Sequence, residues 1–321
     1  MDFTAQTLDD LLFRVLQELE DSGEATTAFR GSTKELLGVK LCLTQPRARL
    51  SRSEGRGRAF SPLGEFLWYL AGSNRLDHIE YYLPRIGENS DDGVTLYGAY
   101  GPRLLGPPTN QLDNVLSVLR HRTGTRRAVI QLFRPDDLIG DHTEIPCTCT
   151  LQFLLRGNTV HMCTYMRSND AYIGLVHDIY SFTMLQEFVA RELNADLGNY
   201  HHFVGSLHLY DRDRKKAQAF VREGLQSLEN MMPEMPTRPR VGLEALLDAE
   251  SRIRQGEDFD VSSIDEEYWR NLARLLLIHR AKKNSDHGSL AVQEAALAGT
   301  CYEAYVESLQ YKLEKAGEKN V

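Results

Sequence analysis

Cys147, placed directly after Ile145-Pro146, is followed within one stretch of chain by Arg167, Ser168, Asp170, Asp178, His208 and Tyr210. These are the residue types from which a nucleophilic site can be built. A thiol attacks only as its thiolate and is mostly protonated at neutral pH, so it needs a cationic neighbour. Taken alone, Pro146-Cys147 says only that a thiol follows a rigid turn, where cysteine usually fills core space. Upstream, Glu65 lies among Leu63, Phe66, Leu67 and Trp68. That setting suits either a salt-bridged structural carboxylate or one whose pKa is raised for proton transfer. The pair Arg126-Arg127 can hold a phosphate bidentately or stand as solvated charge at a strand entrance.

Composition narrows the classes. With 321 residues, 42% hydrophobic and 26% charged, the chain can bury a full core, and we expect one globular unit spanning residues 1–321. A net charge of -8 argues against a general nucleic-acid or membrane surface and leaves room for a local basic pocket for a small anion. No basic-then-apolar leader opens the chain and no long apolar run interrupts it, so a soluble, cytoplasmic protein is expected, with neither membrane nor DNA as partner. Five scattered cysteines predict reduced thiols. No second Cys/His pair at zinc spacing accompanies Cys147-Thr148-Cys149, and no metal is expected.

The elements that must position these residues follow from periodicity. Leu8, Leu11, Leu12, Val15, Leu16 and Leu19 recur at helical spacing. Leu37–Leu43 reads as a strand, and Arg47–Arg58, rich in Arg, Ser and Gly, as a basic solvated loop or lid. Pro62–Leu70 suits a helix begun by proline, Tyr97–Pro102 a turn-rich aromatic loop, Leu112–Leu119 a helix and Ala128–Phe133 a buried strand. Alternation on both sides of Gly157-Asn158 predicts a hairpin. Leu175–Leu193 reads as a long buried helix, Tyr200–Tyr210 as a strand, and segments 211 onward, 243–253, 268–278 and 291–313 as helices.

The order Glu65, Tyr100, Arg126-Arg127, Pro146-Cys147, Gln152-Phe153, Arg167-Ser168-x-Asp170, Gly174-Leu175 and His208-Leu209-Tyr210 resembles the thymidylate synthase family from about Glu65 to Asp211. Residues 240–321 are not clearly covered. The resemblance implies an α/β fold, a mixed sheet with flanking helices and here a helix-rich C-terminal third. It implies that Cys147 adds to C6 of a pyrimidine nucleoside monophosphate, that Arg167 lowers the thiol pKa and contacts the phosphate with Ser168, and that Arg126-Arg127 reach across from the second subunit of a homodimer. Arg30 is a further, weaker phosphate contact. His208 and Tyr210 match residues at the sugar hydroxyl, Asp170 one at the folate site, and Glu65 and Tyr100 the proton network beside the base. The implied carbon donor is 5,10-methylenetetrahydrofolate.

Two departures from the family pattern carry the substrate and product. Where the family has Gly-Leu-Pro-Phe-Asn, this chain has Gly174-Leu175-Val176-His177-Asp178. A carboxylate can accept from the 4-amino group of cytosine and share a proton with N3, whereas it meets the 4-carbonyl of uracil acceptor against acceptor. Asp178 therefore points to a cytidylate, as in the family's cytidylate and deoxycytidylate hydroxymethylases, unless it merely caps a helix begun at Ile179. Residues Tyr81–Glu88 lack the tryptophan that helps shield the methylene intermediate in thymidylate synthases, and Ala316–Val321 lack the family's apolar closing tail. Both favour capture by water, with Glu65 as activator, over hydride. Ser206-Leu207 also replaces a more polar pair before His208. A methylating pyrimidine nucleotide synthase is the first alternative, and a non-catalytic nucleotide- or RNA-binding relative the second.

Overall fold

The computed structural model describes residues 1–28, 31–51, 59–224 and 231–306. Among these, strands β1 (Asp2–Ala5), β2 (Glu24–Ala28), β3 (Gly31–Leu43), β4 (Val129–Gln131), β5 (Thr148–Arg156), β6 (Thr159–Asp170) and β7 (Asp196–Tyr210) form one mixed sheet ordered β1-β3-β7-β6-β5-β4, with β2 added on β3. The predicted hairpin is β5 and β6, paired antiparallel about Gly157, whose positive φ of 58° suits a tight turn. β6 runs parallel to β7, so the chain must cross over between them. It does so through α6 (Gly174–Glu192), a helix apolar on nearly all sides and correspondingly buried.

The sheet has two unlike faces. Leu151, Phe153, Met162, Thr164, Tyr200, His202, Leu41 and Val39 lie on one face and are buried, with α6 packed on β6 and β7. Gln152, Leu154, Cys163, His201 and Phe203 alternate to the other face and are half-buried, and Tyr165 is 48% exposed there. The remaining helices are α1 (Leu8–Ser22), α2 (Phe60–Leu70), α3 (Leu76–Glu80), α4 (Tyr100–Leu105), α5 (Gln111–His121), α7 (Asp211–Glu223), α8 (Pro239–Arg254), α9 (Glu267–Lys283) and α10 (His287–Leu297). α1 starts at an N-cap, Thr7, whose hydroxyl accepts from Asp10 N, and buries the predicted leucine stripe. α2 packs on α6, and α9 packs on α2 and α8, which ties the helix-rich C-terminal part to the helix that carries Glu65.

Several expectations are corrected. β3 is longer than the apolar run predicts, because its first half pairs with β2, whose polar residues carry no strand periodicity. Tyr97–Pro102 is not wholly a loop: Tyr100 begins α4. The first residues of the supposed solvated loop are buried instead. Ala48, Leu50 and Ser51 are enclosed, and Arg49 is fully buried in an ion pair with Glu187, a partner 138 positions away that no local pattern reveals. Residues 52–58 lie outside the described residues, as do Arg30 and Ala316–Val321. Of the expected helix over 291–313, α10 covers the part to Leu297, Gly299 turns the chain with φ of 74°, residues 303–306 are helical again, and 307–313 lie outside the described residues. No helix among the described residues is long and apolar enough to cross a membrane.

Candidate active site

Cys147 sits at the turn into β5, half-buried, with Pro146 and Thr148 buried on either side. Between Thr148 and Thr150 the register with β6 slips, so that Cys149 is an extra residue and the strand is bent just beyond the thiol. Arg167, opposite on β6, donates from Nε to the Pro146 carbonyl at 2.9 Å and from Nη2 to the Ile145 carbonyl at 3.1 Å. The same Nη2 lies 3.7 Å from Cys147 Sγ. The guanidinium is thus locked onto the loop that carries the nucleophile, beside the sulfur whose anion it favours. Burial pushes the thiols of Cys42, Cys149, Cys163 and Cys301 up, the last to about 11, which keeps those four protonated. Gly205 permits the approach of β7 to this arginine, since a Cβ there would lie 2.9 Å from the Arg167 carbonyl oxygen.

Tyr100 connects the thiol to the rest of the site. Its hydroxyl oxygen accepts from Thr148 N at 3.1 Å and from Thr148 Oγ1 at 3.0 Å, and its ring packs 5.0 Å from that of Tyr69. Burial, together with the charges of Asp178 and Cys147, holds the Tyr100 phenol well above its ordinary pKa, so it is a proton donor or acceptor but not an anion. Tyr69 in turn donates to Glu65 Oε1 at 2.7 Å. The second oxygen, Oε2, is 2.6 Å from His177 Nδ1, and His177 Nε2 is 3.2 Å from Ser61 Oγ. Glu65 is partnered on both oxygens, as a structural carboxylate would be, and its side chain is still 14% exposed.

Asp178 lies next in the chain to His177, inside α6 and 8% exposed. The helix begins at Gly174, four residues earlier, so Asp178 is not the cap of a helix begun at Ile179. That capping function falls to Asp170, whose carboxylate accepts from the backbone N–H of Tyr172, Ile173 and Gly174 at 3.1, 2.9 and 3.2 Å. Asn169 Nδ2 donates to Asp178 Oδ2 at 2.8 Å. The Asn169 amide is oriented from behind: its Oδ1 is 2.9 Å from His202 Nε2, and His202 Nδ1 is 2.7 Å from the Tyr200 hydroxyl. Burial lowers the His202 pKa to about 3, leaving a neutral ring. Nε2–H then donates to Asn169 and Nδ1 accepts from Tyr200. Burial first, and the negative charge of Glu65 second, raise Asp178 well above the ordinary carboxylate range, against the lowering effect of Asn169. Asp178 is thus suited to hold a proton beside the Glu65 carboxylate.

The structure brings Cys147, Arg167, Tyr100, Glu65 and Asp178 into one connected group. Asp170, at the entrance to α6, reaches Asp178 with its charge. Arg126 and Arg127 are exposed just before β4 and have no acidic partner among the described residues. Ser168 and His208 are half-buried on adjacent strands, where Ser168 pairs with Ser206, and His208 with Asp170 and Glu35. Ser206 donates to Glu35, and the His208 and Tyr210 rings meet edge to face at 5.0 Å. Sequence reasoning missed Ser61, Tyr69, Thr148, Asn169, His177, Tyr200 and His202. Three of these had a signal: Ser61 and Tyr69 flank Glu65 at four-residue spacing on one helix face, and Asn169 lies inside the Arg167–Asp170 motif.

Residues 58–250 match the thymidylate synthase family. The chain is similar to a deoxyuridylate hydroxymethyltransferase of Bacillus phage SP01, 29% identical over 260 residues that cover 76% of this chain and 66% of that protein. It is also similar to a deoxyuridylate hydroxymethyltransferase of Delftia phage PhiW-14, 28% identical over 232 residues that cover 68% of this chain and 63% of that protein. The matched region spans just under two thirds of each relative.

Proposed function

The chain belongs to the thymidylate synthase family, and we propose that it is a folate-dependent hydroxymethyltransferase that modifies C5 of a cytidine monophosphate. The observation that carries the choice of base is the buried Asp178 carboxyl and its raised pKa. With its proton, it donates to cytosine N3 and accepts from the 4-amino group. Without it, it accepts from the amino group and pairs with an N3 that has taken the proton. Cytosine is matched as long as the pair holds one proton, on the acid or on N3, whereas uracil, with N3–H and a 4-carbonyl, is matched only when the acid itself carries it.

The chemistry then falls to the chain's own residues. Cys147, favoured as thiolate by Arg167, bonds to C6, and protonation at N3 by Asp178 draws the displaced electron pair away from the ring. C5 becomes the nucleophile. Methylenetetrahydrofolate, when bound, supplies a one-carbon unit at the oxidation level of formaldehyde. Asp170, half-buried at the start of α6 beside Ile173, which is 44% exposed, offers an acceptor and an apolar surface for a pterin. Once C5 has lost its proton and carries an exocyclic methylene, a water oxygen bonds to that carbon while Glu65 takes the water proton. The electron pair returns through C5 and expels the Cys147 thiolate from C6, restoring the aromatic ring. Tyr100 stays protonated beside these transfers and hydrogen-bonds the developing charge.

The phosphate is held by Arg167 and Ser168 from one subunit and by Arg126 and Arg127 from a second. Arg30 is a further candidate. The exposed pair before β4 and the partly covered outer face of the sheet support such a homodimer. His208 and Tyr210 bind the sugar.

A uridylate substrate is the second reading, favoured by the names of the two relatives and by the ability of a protonated Asp178 to face uracil. The experiment is a substrate competition with wild-type protein and Asp178→Asn. The wild type should prefer CMP or dCMP over UMP or dUMP by about ten- to a hundredfold in kcat/KM, the equivalent of one unmatched buried polar pair. Asp178→Asn should reverse that order. Unchanged preference in the variant would reject the assignment of Asp178.

A further inference from the structure

His177 has no part in the steps above, yet it is built into the wall of the site. It lies on α6 immediately before Asp178 and spans one turn of the facing helix α2, meeting Ser61 and Glu65, which are four residues apart on that helix. One ring nitrogen is 2.6 Å from Glu65 Oε2 and the other 3.2 Å from Ser61 Oγ. The side chain keeps 12% of its surface exposed, against 14% for Glu65, so the pair faces the site instead of the interior. Tyr69, one further turn along α2, donates to Glu65 Oε1 at 2.7 Å.

From this geometry we propose that His177 is a positioning residue that, with Ser61, aims Glu65 at the water it activates. A carboxylate accepts, so Nδ1 carries the ring proton and donates it, while Nε2 accepts from the Ser61 hydroxyl. A serine on the far nitrogen fixes the tautomer and the ring plane, as a structural histidine merely filling space between helices would not require. With donors on both oxygens, the plane of the Glu65 carboxylate is set, and its remaining lone pairs point in one direction. The same hydrogen bond spreads the charge that Glu65 must lose when it takes the water proton and regain when it returns it.

The role in water activation rests on the hydroxymethyltransferase reading, and the test separates the two. Formation of hydroxymethylated nucleotide is followed for wild type, His177→Phe, His177→Asn and Ser61→Ala. His177→Phe should lose about a hundredfold in kcat with nucleotide KM within about twofold, the loss typical of a displaced general base. His177→Asn, whose amide nitrogen can occupy the place of Nδ1, should recover to within about tenfold of wild type, and Ser61→Ala should lose about tenfold. Wild-type kcat in His177→Phe, or no recovery in a folded His177→Asn, overturns the proposal. In parallel, 15N NMR of histidine-labelled protein without substrate should show His177 protonated on Nδ1 and not on Nε2, with the signal displaced by Glu65→Gln. A ring protonated on Nε2 alone overturns the proposal even where the enzyme turns over. Absence of turnover by wild type on every nucleotide overturns the hydroxymethyltransferase reading and leaves the NMR result to decide the placement of the ring.

Discussion

In the proposed mechanism Asp178 and Cys147 divide the chemistry between them. Replacing Cys147 with serine removes the thiolate and should abolish turnover by at least about a thousandfold while nucleotide binding, measured by calorimetry, persists. Persistence of full turnover would contradict covalent addition at C6. The raised pKa of Asp178 has a pH consequence with a definite sign. As pH rises through its titration the carboxyl loses its proton, so any residual use of uridylate falls away first, whereas cytidylate, whose N3 can itself hold the shared proton, keeps a matched partner to higher pH. The ratio of CMP to UMP turnover should therefore climb with pH. The same group acts on stability: a carboxyl with a raised folded pKa binds a proton more tightly in the native state, so its stabilising contribution is lost as pH rises above the ordinary carboxylate range. Asp178→Asn escapes that loss. Its melting temperature should exceed that of wild type by about 2 °C or more at pH 8 and by less at pH 5.

At the scale of elements, the sequence made legible what periodicity encodes. The hairpin of β5 and β6, the buried α6 and the leucine stripe of α1 were all readable from apolar spacing. The partners that make the site work were not, because they are long-range. Glu65 and His177 are 112 positions apart, and His202 reaches Asn169 across 33. A histidine in a helix or an asparagine in a strand carries no local sign of which group it will orient. Asp178 shows the converse: its placement before an apolar helix allowed a capping role, and only the observed start of α6 at Gly174 moved that role to Asp170. Gly174 is itself a test of this packing, because a Cβ there would lie 3.1 Å from Asn169 Nδ2. Gly174→Ala should push the Asn169 amide from Asp178 and weaken cytidylate binding by about tenfold, with little change in melting temperature. An unaltered affinity would show that Asn169 does not hold Asp178 in its working position.

For the whole molecule, the proposal places Arg126 and Arg127, exposed just before β4, in the site of a second copy. Subunits carrying Arg126→Ala with Arg127→Ala should be nearly inactive, as should subunits carrying Cys147→Ser. Equal mixing after subunit exchange should restore about a quarter of wild-type sites, because each mixed dimer assembles one complete site. No recovery would mean that the paired arginines serve their own subunit or none. The central claim, that this chain adds a hydroxymethyl group to a cytidylate, is tested most directly by incubating the protein with methylenetetrahydrofolate and each of CMP, dCMP, UMP and dUMP and weighing the nucleotide products. A cytidylate should gain the mass of one formaldehyde unit, with tetrahydrofolate released. A product heavier by one methylene with dihydrofolate formed, or reaction confined to the uridylates, would contradict it.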